Sequence, residues 1–166
     1  DHRDLHSFPT RRSSDLVYDP LLCEKLARVF LMLGTERALV VHGMGMDEIT
    51  NTGETMISEL KDGMVKSYRL MPQDLGYQLS SKQDIAGGLP EENARKLVAV
   101  MKGERSPRRD IIAMNAGAAI YVCGRAPALK EGAIMAEEAI DSGKALHLLE
   151  EMTKMNGEPE KLERFL

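Results

Sequence analysis

Residues 37–50 read RALVVHGMGMDEIT, and the four apolar residues at their centre, Ala38, Leu39, Val40 and Val41, decide the fold class. A short continuous apolar run rich in β-branched residues is the pattern of a strand covered on both faces, as the inner strands of α/β sheets are. The loop that follows carries two glycines and then two adjacent acids, Asp47 and Glu48. In open α/β sheets the ligand crevice lies beyond the carboxyl ends of the strands, which puts His42, Gly43, Gly45, Asp47 and Glu48 where a site is expected. Mg²⁺ is commonly held by one or two carboxylates together with substrate phosphates, and Asp47 and Glu48 are the candidates for that role. An Asp after a glycine loop also serves as a helix cap or a solvated turn residue, and spacing alone leaves both readings open.

The rest of the composition narrows the class of protein. A chain of 166 residues is long enough for one domain with a sizeable core. Its formal net charge of −4 gives no basic footprint, so nucleic acid is not an expected partner. Cys23 and Cys123 are too few and too far apart for a metal knuckle or a disulfide framework, and both fall in apolar helical patterns. Reduced, buried thiols are therefore expected. No apolar run approaches the roughly 18 residues that span a bilayer, and the N-terminus lacks the apolar centre of a signal peptide. A cytoplasmic protein with no membrane partner is the expectation. Eleven Met against three Phe and no Trp point to a core filled by flexible aliphatic side chains.

Residues 1–16, DHRDLHSFPTRRSSDL, follow neither the helical nor the strand period and differ in character from all that comes after them. They read as a foreign or disordered leader, with His2 and His6 only nominal metal ligands. Pro20 suits the first turn of a helix on which Leu22, Leu26, Val29 and Leu33 recur at helical spacing, and Gly34 ends it. Past the acids, TMISEL and MVKSYRL are extended runs separated by Lys61, Asp62 and Gly63, and Asp-Gly is a strong hairpin signal. Residues 72–77, PQDLGY, read as a reorienting turn, and Ser80 to Gly88 as a loop. Ala86-Gly87-Gly88 lacks the flanking strand and following basic residue of a phosphate cradle and reads as a connection.

Three helical patterns complete the chain. Ala94, Leu97, Val98 and Met101 form the first, behind an acidic first turn, with Gly103 closing it. The second starts at Pro107 and carries Ile111, Ile112, Ala116, Ala119 and Ile120. Its small residues, Gly117 among them, predict close packing on neighbouring backbone. Asn115 on that helix is either a satisfied buried amide or a ligand contact, and pairing of buried polar groups favours the first. The third runs from Leu129 to Met155 with a break at Ser142 and Gly143, and His147 on it is a surface or packing residue rather than a catalytic base.

Taken together and in order, VVHGMGMDEIT, TMISELKDG, PQDLGY, RRDIIAMNAGAAIYV and EGAIMAEEAIDSGKAL resemble the C-terminal half of the anthranilate phosphoribosyltransferase family, from about Val17 to about Leu149. The resemblance implies a fold of class α/β: a partial, truncated α/β domain of the nucleoside phosphorylase class III type, with a central buried strand, an antiparallel hairpin and several packed helices. Residues 17–166 would be the C-terminal part of that phosphoribosyltransferase domain. It further implies transfer of phosphoribosyl from phosphoribosyl pyrophosphate to the amine of anthranilate in tryptophan biosynthesis, with Mg²⁺ as cofactor and a homodimer as the complete enzyme. Asp47 and Glu48 match the family's acidic pair that holds Mg²⁺ against the pyrophosphate. No catalytic nucleophile and no organic cofactor site are implied.

Some family features are missing. A Gly-Thr-Gly-Gly-Asp type phosphate loop, the Asn-Ser and Lys-His-Gly-Asn segments and the arginine that orients anthranilate lie upstream in the family and do not occur in this sequence. An inactive fragment behind an unrelated leader is the resulting expectation. PQDLGY stands where PEDFGL is usual, and NAGAAIYV where NAAAALY is, both conservative differences. A pyrimidine nucleoside phosphorylase-like enzyme of the same architecture and a non-enzymatic interaction or oligomerisation module are the alternatives.

Overall fold

A computed structural model describes residues 12–17 and 19–166. Its sheet has four strands in the order β1 (Arg12–Leu16), β2 (Arg37–Gly43), β3 (Thr55–Lys61) and β4 (Met64–Leu70). β1 runs parallel to β2, and β2, β3 and β4 are antiparallel to one another. Ala38, Leu39, Val40 and Val41 are all buried, because β2 has a strand on either side and helices over both faces.

Alternation along β2 divides the core in two. Leu39 and Val41 face a cluster with Ile57, Leu70, Ile111, Met114, Ala118 and Tyr121, built against α5 (Pro107–Val122). Val40 faces the other way, onto Cys23 and Ala27 of α1 (Leu21–Met32). The hairpin is as expected: Asp62 and Gly63 have φ of 51° and 72°, the two positive angles of the turn whose twist matches its strands.

The helix faces differ from the sequence expectation. On α1 the inward row is Leu22, Cys23, Leu26, Ala27 and Phe30, whereas Val29 and Leu33 are 45% and 59% exposed. Counting large apolar residues misplaces the row, because close approach to a sheet selects small residues such as Cys23 and Ala27 for the point of contact. The same correction applies to α5, where Ala116 and Ala119 are exposed and Ala113, Met114, Gly117 and Ala118 are buried. Cys123, expected to be buried, is exposed just past the end of α5, and Cys23 is buried as expected.

Residues 12–16 correct the reading of residues 1–16 as a leader apart from the fold. They form β1, whose pairing runs from Arg12 beside Arg37 to Leu16 beside Val41. A strand is recruited there by the backbone donors and acceptors along the free side of β2, which need no apolar period in the segment that pairs with them. With α1 and β2 it completes a βαβ unit. Residues 1–11, with His2 and His6, lie outside the described residues.

The remaining elements are α2 (Pro72–Leu75), α3 (Lys82–Ile85), α4 (Pro90–Met101), α6 (Leu129–Asp141), α7 (Lys144–Met155) and α8 (Pro159–Glu163). The turn at PQDLGY is the single helical turn α2, stopped by Gly76 at φ 97°. α3 interrupts the expected 80–88 loop. The signal for it is Ser81-x-x-Asp84, whose reciprocal capping bonds are 3.3 Å from the Asp84 amide to Ser81 Oγ and 2.9 Å from the Ser81 amide to Asp84 Oδ2. The break between α6 and α7 falls at Ser142 and Gly143 as expected, with Gly143 at φ 75°. His147 is exposed.

α5 and α6 pack at their backbones: a methyl group on Gly117 would overlap Ala133 and Gly132, and one on Gly132 would overlap the Gly117 carbonyl. Arg109, fully buried in α5, ties the same pair of helices by donating from Nη1 to Asp141 Oδ1 at 2.6 Å and to the Gly103 carbonyl at 3.1 Å. That hydrogen bond holds the Asp141 carboxyl below its ordinary range.

Candidate functional site

The carboxyl end of β2 turns back on itself at once. Gly43 and Met46 exchange both backbone hydrogen bonds, each 2.8 Å, around Met44 and Gly45, which have φ of 51° and 84°. A side chain on Gly43 would collide with the Glu48 carbonyl and with Thr50, so this glycine lets the returning chain lie against the strand end. His42 is committed to the same turn. Its Nε2 accepts from the Gly45 amide at 3.3 Å, which leaves Nδ1–H to donate to the Val17 carbonyl at 2.8 Å. Both ring nitrogens are spent, so His42 serves the loop rather than acting as a base.

Asp47 and Glu48 follow the turn, at the carboxyl end of the central strand as expected. Asp47 is exposed and Glu48 half-buried. The residue after them is clamped. Asn115 of α5 accepts from the Ile49 amide at 3.0 Å and donates Nδ2–H to the Ile49 carbonyl at 2.8 Å and to the Ile111 carbonyl at 3.0 Å. Asn115 is thus the satisfied amide favoured from sequence, and its work is to fix the backbone that carries the acids. Next to it, buried Asn51 donates to the Pro107 carbonyl at 2.8 Å, tying the loop to the start of α5.

Burial first, and then the negative charge of Asp47, push the Glu48 carboxyl above its ordinary value. Glu48 is therefore expected to titrate above the ordinary glutamate range, and Asp47→Asn to lower that titration only part of the way. Carboxyl ¹³C NMR against pH checks this; a complete return to the ordinary value in the Asn variant would show that repulsion, not burial, is the main cause. Protons compete with a cation for the same oxygens, so metal affinity should rise with pH through this titration.

Glu48 opens onto a cleft of about 420 Å³. It is lined by apolar Met46, Ile85, Ile111 and Ile112 and by the cations Lys82 and Arg108. Among the described residues no group of three or more His, Cys, Asp or Glu is placed to hold a metal ion. Two adjacent carboxylates that leave the rest of a coordination shell to water and phosphate oxygens suit Mg²⁺ and would not make a closed structural metal site.

Ala86 and Gly87 also line the cleft, which the sequence alone does not reveal. Asn93 secures their neighbour Gly88, accepting from its amide at 2.8 Å and donating to its carbonyl at 3.0 Å. The Gly88 amide is therefore used internally, which agrees with reading this stretch as a connection.

Comparison with known proteins decides the family. Residues 10–146 match the sequence model described as the glycosyl transferase family, a/b domain. The chain belongs to this family. It is 54% identical over 130 residues to the anthranilate phosphoribosyltransferase of Methanosarcina barkeri, a stretch that is 78% of this chain and 36% of that protein. With the Methanosarcina mazei enzyme it shares 49% identity over 142 residues, 86% of this chain and 38% of the relative. The crystal structure of the Thermus thermophilus enzyme superposes with a TM-score of 0.75 at 39% identity, covering 82% of this chain and 40% of that one. The Saccharomyces cerevisiae enzyme in complex with PRPP and Mg gives 0.71 at 29% identity, over the same two shares. The chain thus spans about two fifths of the length of the relatives it matches. Among the described residues no helix is long and apolar enough to cross a membrane.

Proposed function

We propose that residues 17–166 are the C-terminal part of the α/β domain of an anthranilate phosphoribosyltransferase, and that Asp47 and Glu48 are its Mg²⁺ ligands. The observation that supports this best is the acidic pair itself: two adjacent carboxylates at the carboxyl end of the buried central strand, one of them facing a cleft, in a chain of this family. A bound Mg²⁺ would neutralise the negative charge that gathers on pyrophosphate as it leaves the anomeric carbon. The chain's own residues do the rest of what is available here. Gly43 and Asn115 fix the loop that carries the two acids. No protein nucleophile is called for. The substrates are phosphoribosyl pyrophosphate and anthranilate, the working enzyme is a homodimer, and the compartment is the cytoplasm.

The 166 residues by themselves are expected to show no turnover, since backbone donors for the phosphates and the residues that orient anthranilate are not among them. Correct orientation in such transfers is worth roughly 7–11 kcal/mol, so half a site is many orders of magnitude slower than a whole one. Joining residues 17–166 to the upstream portion of a related anthranilate phosphoribosyltransferase should produce pyrophosphate release that depends on anthranilate. Phosphorolysis of a pyrimidine nucleoside by that chimera, or turnover by the 166 residues alone, would overturn the proposal.

A further inference from the structure

We propose that His42 is the positioning residue of the acidic pair: through its Nδ1–H tautomer it holds the turn from which Asp47 and Glu48 emerge. Gly43, Met44, Gly45 and Met46 make a two-residue hairpin turn, with both central residues at positive φ, 51° for Met44 and 84° for Gly45. Glycine takes such an angle freely. Met44 does not, so the turn persists only where its surroundings hold it. The two bonds between Gly43 and Met46 leave the Gly45 amide over, and His42 Nε2 is the side-chain acceptor that takes it. A neutral imidazole accepts on one nitrogen only, so its proton stands on Nδ1 and is donated to the Val17 carbonyl. Val17 is itself fixed, because its amide donates to the Val41 carbonyl at 3.0 Å and its side chain is buried against α1. An immobile carbonyl therefore selects the tautomer that leaves Nε2 bare for the turn.

The acids are thus held from both sides. Asn115 grips the backbone of Ile49, immediately after them, and His42 grips that of Gly45, two residues before them. Asn115 fixes only the exit from the loop. Without an acceptor for Gly45, the entry can relax to a turn in which Met44 is no longer left-handed, and the chain then leaves the strand end along a different line. A side chain that merely filled the space of His42 would not prevent this, since the turn requires an acceptor at the ε position and the Val17 carbonyl a donor at the δ position. One side chain also links the peptide between β1 and α1 to the acidic loop. That the acids bind a metal rests on the function proposed above; the hold of His42 on their backbone rests on the hydrogen bonds.

The test uses the 166-residue chain. Long-range proton–nitrogen NMR of the wild type should show His42 protonated on Nδ1 and bare on Nε2; the opposite tautomer, which cannot accept from Gly45, overturns the proposal. Two variants then separate the bonds, because the amide nitrogen of Asn takes the place of Nδ1 and the amide oxygen of Gln that of Nε2. Hydrogen exchange at the Gly45 and Met46 amides should quicken about tenfold in His42→Asn, which lacks the acceptor, and stay within about threefold of wild type in His42→Gln. Mn²⁺, which shares the preference of Mg²⁺ for carboxylate oxygens, should bind His42→Asn about three- to tenfold more weakly and His42→Gln almost as wild type, read from the paramagnetic signal of the free ion. Exchange that is unchanged in both variants, or quickened equally in both, overturns the positioning role. Exchange in the expected order, with Mn²⁺ binding unaffected by Asp47→Asn/Glu48→Gln, leaves His42 positioning the pair and overturns the metal reading instead.

Discussion

In the chimera that completes the site, Asp47→Asn combined with Glu48→Gln is expected to lower turnover by about 10²–10³-fold, the usual cost of removing charge stabilisation aimed at a transition state. The loss should fall on kcat at saturating Mg²⁺, because the negative charge on the leaving pyrophosphate grows only as the glycosidic bond breaks. Stability should move the other way. A carboxyl whose pKa is raised by folding releases its proton less readily in the folded state than in the unfolded one, so the folded state is favoured below the unfolded pKa and loses that advantage as pH rises through the folded one. Glu48 is such a group, and at neutral pH its charge opposes folding. Replacing it by Gln removes that opposition, and Asp47, being exposed, has little packing to lose. The double variant should therefore melt at the same temperature or slightly higher while being nearly inactive. Full activity would remove the acids from the mechanism, and a large fall in melting temperature would make them structural.

How much of this was open to a reader of the sequence depends on the range over which each feature is decided. β2, the Asp62-Gly63 hairpin and the glycine that ends α1 are set by a few consecutive residues, and they are where sequence reading puts them. The inward rows of α1 and α5 are decided by partners distant in the chain. Cys23, Ala27, Ala113 and Ala118 are buried because a sheet or helix comes close to them, and nothing in their neighbours' spacing says so. β1 shows no period because backbone pairing with β2 selects it, not a face of its own. Asp47 and Glu48 are adjacent and fall just past a legible strand, so their place at its carboxyl end could be read from the sequence. That Arg108 and Lys82 line one cleft with Glu48 could not, for it is decided only once α3 and α5 have been placed. The Ser81-x-x-Asp84 cap is the one local sign of α3.

Gly117→Ala provides the sharpest test of the packing that holds α5 in place. Local preference and tertiary contact predict opposite signs. Within a helix, Ala is favoured over Gly by about 1 kcal/mol, so an isolated α5 would be strengthened. In the folded chain the added methyl would overlap the backbone of Ala133 and Gly132, atoms that cannot turn aside as a flexible side chain can. The two helices would have to separate along the line where Gly117, Gly132, Ala133 and Ala136 are buried, loosening contacts that the small residues make possible. Overpacking of a dense core typically costs about 1–3 kcal/mol, and backbone against backbone belongs at the upper end, so a net loss of about 2 kcal/mol is expected for Ala and more for Val. Against a total of about 5–15 kcal/mol for a domain, the Val variant approaches unfolding. Ala119→Val, on the exposed side of the same helix, should stay within about 1 kcal/mol of wild type. The damage would also reach the site, since α5 carries both Asn115, which clamps the backbone beside Glu48, and Arg108. Urea unfolding of the three variants decides the matter: if Gly117→Ala is more stable than wild type, helix preference outweighs contact, and the backbone approach of α5 to α6 does not fix the cleft.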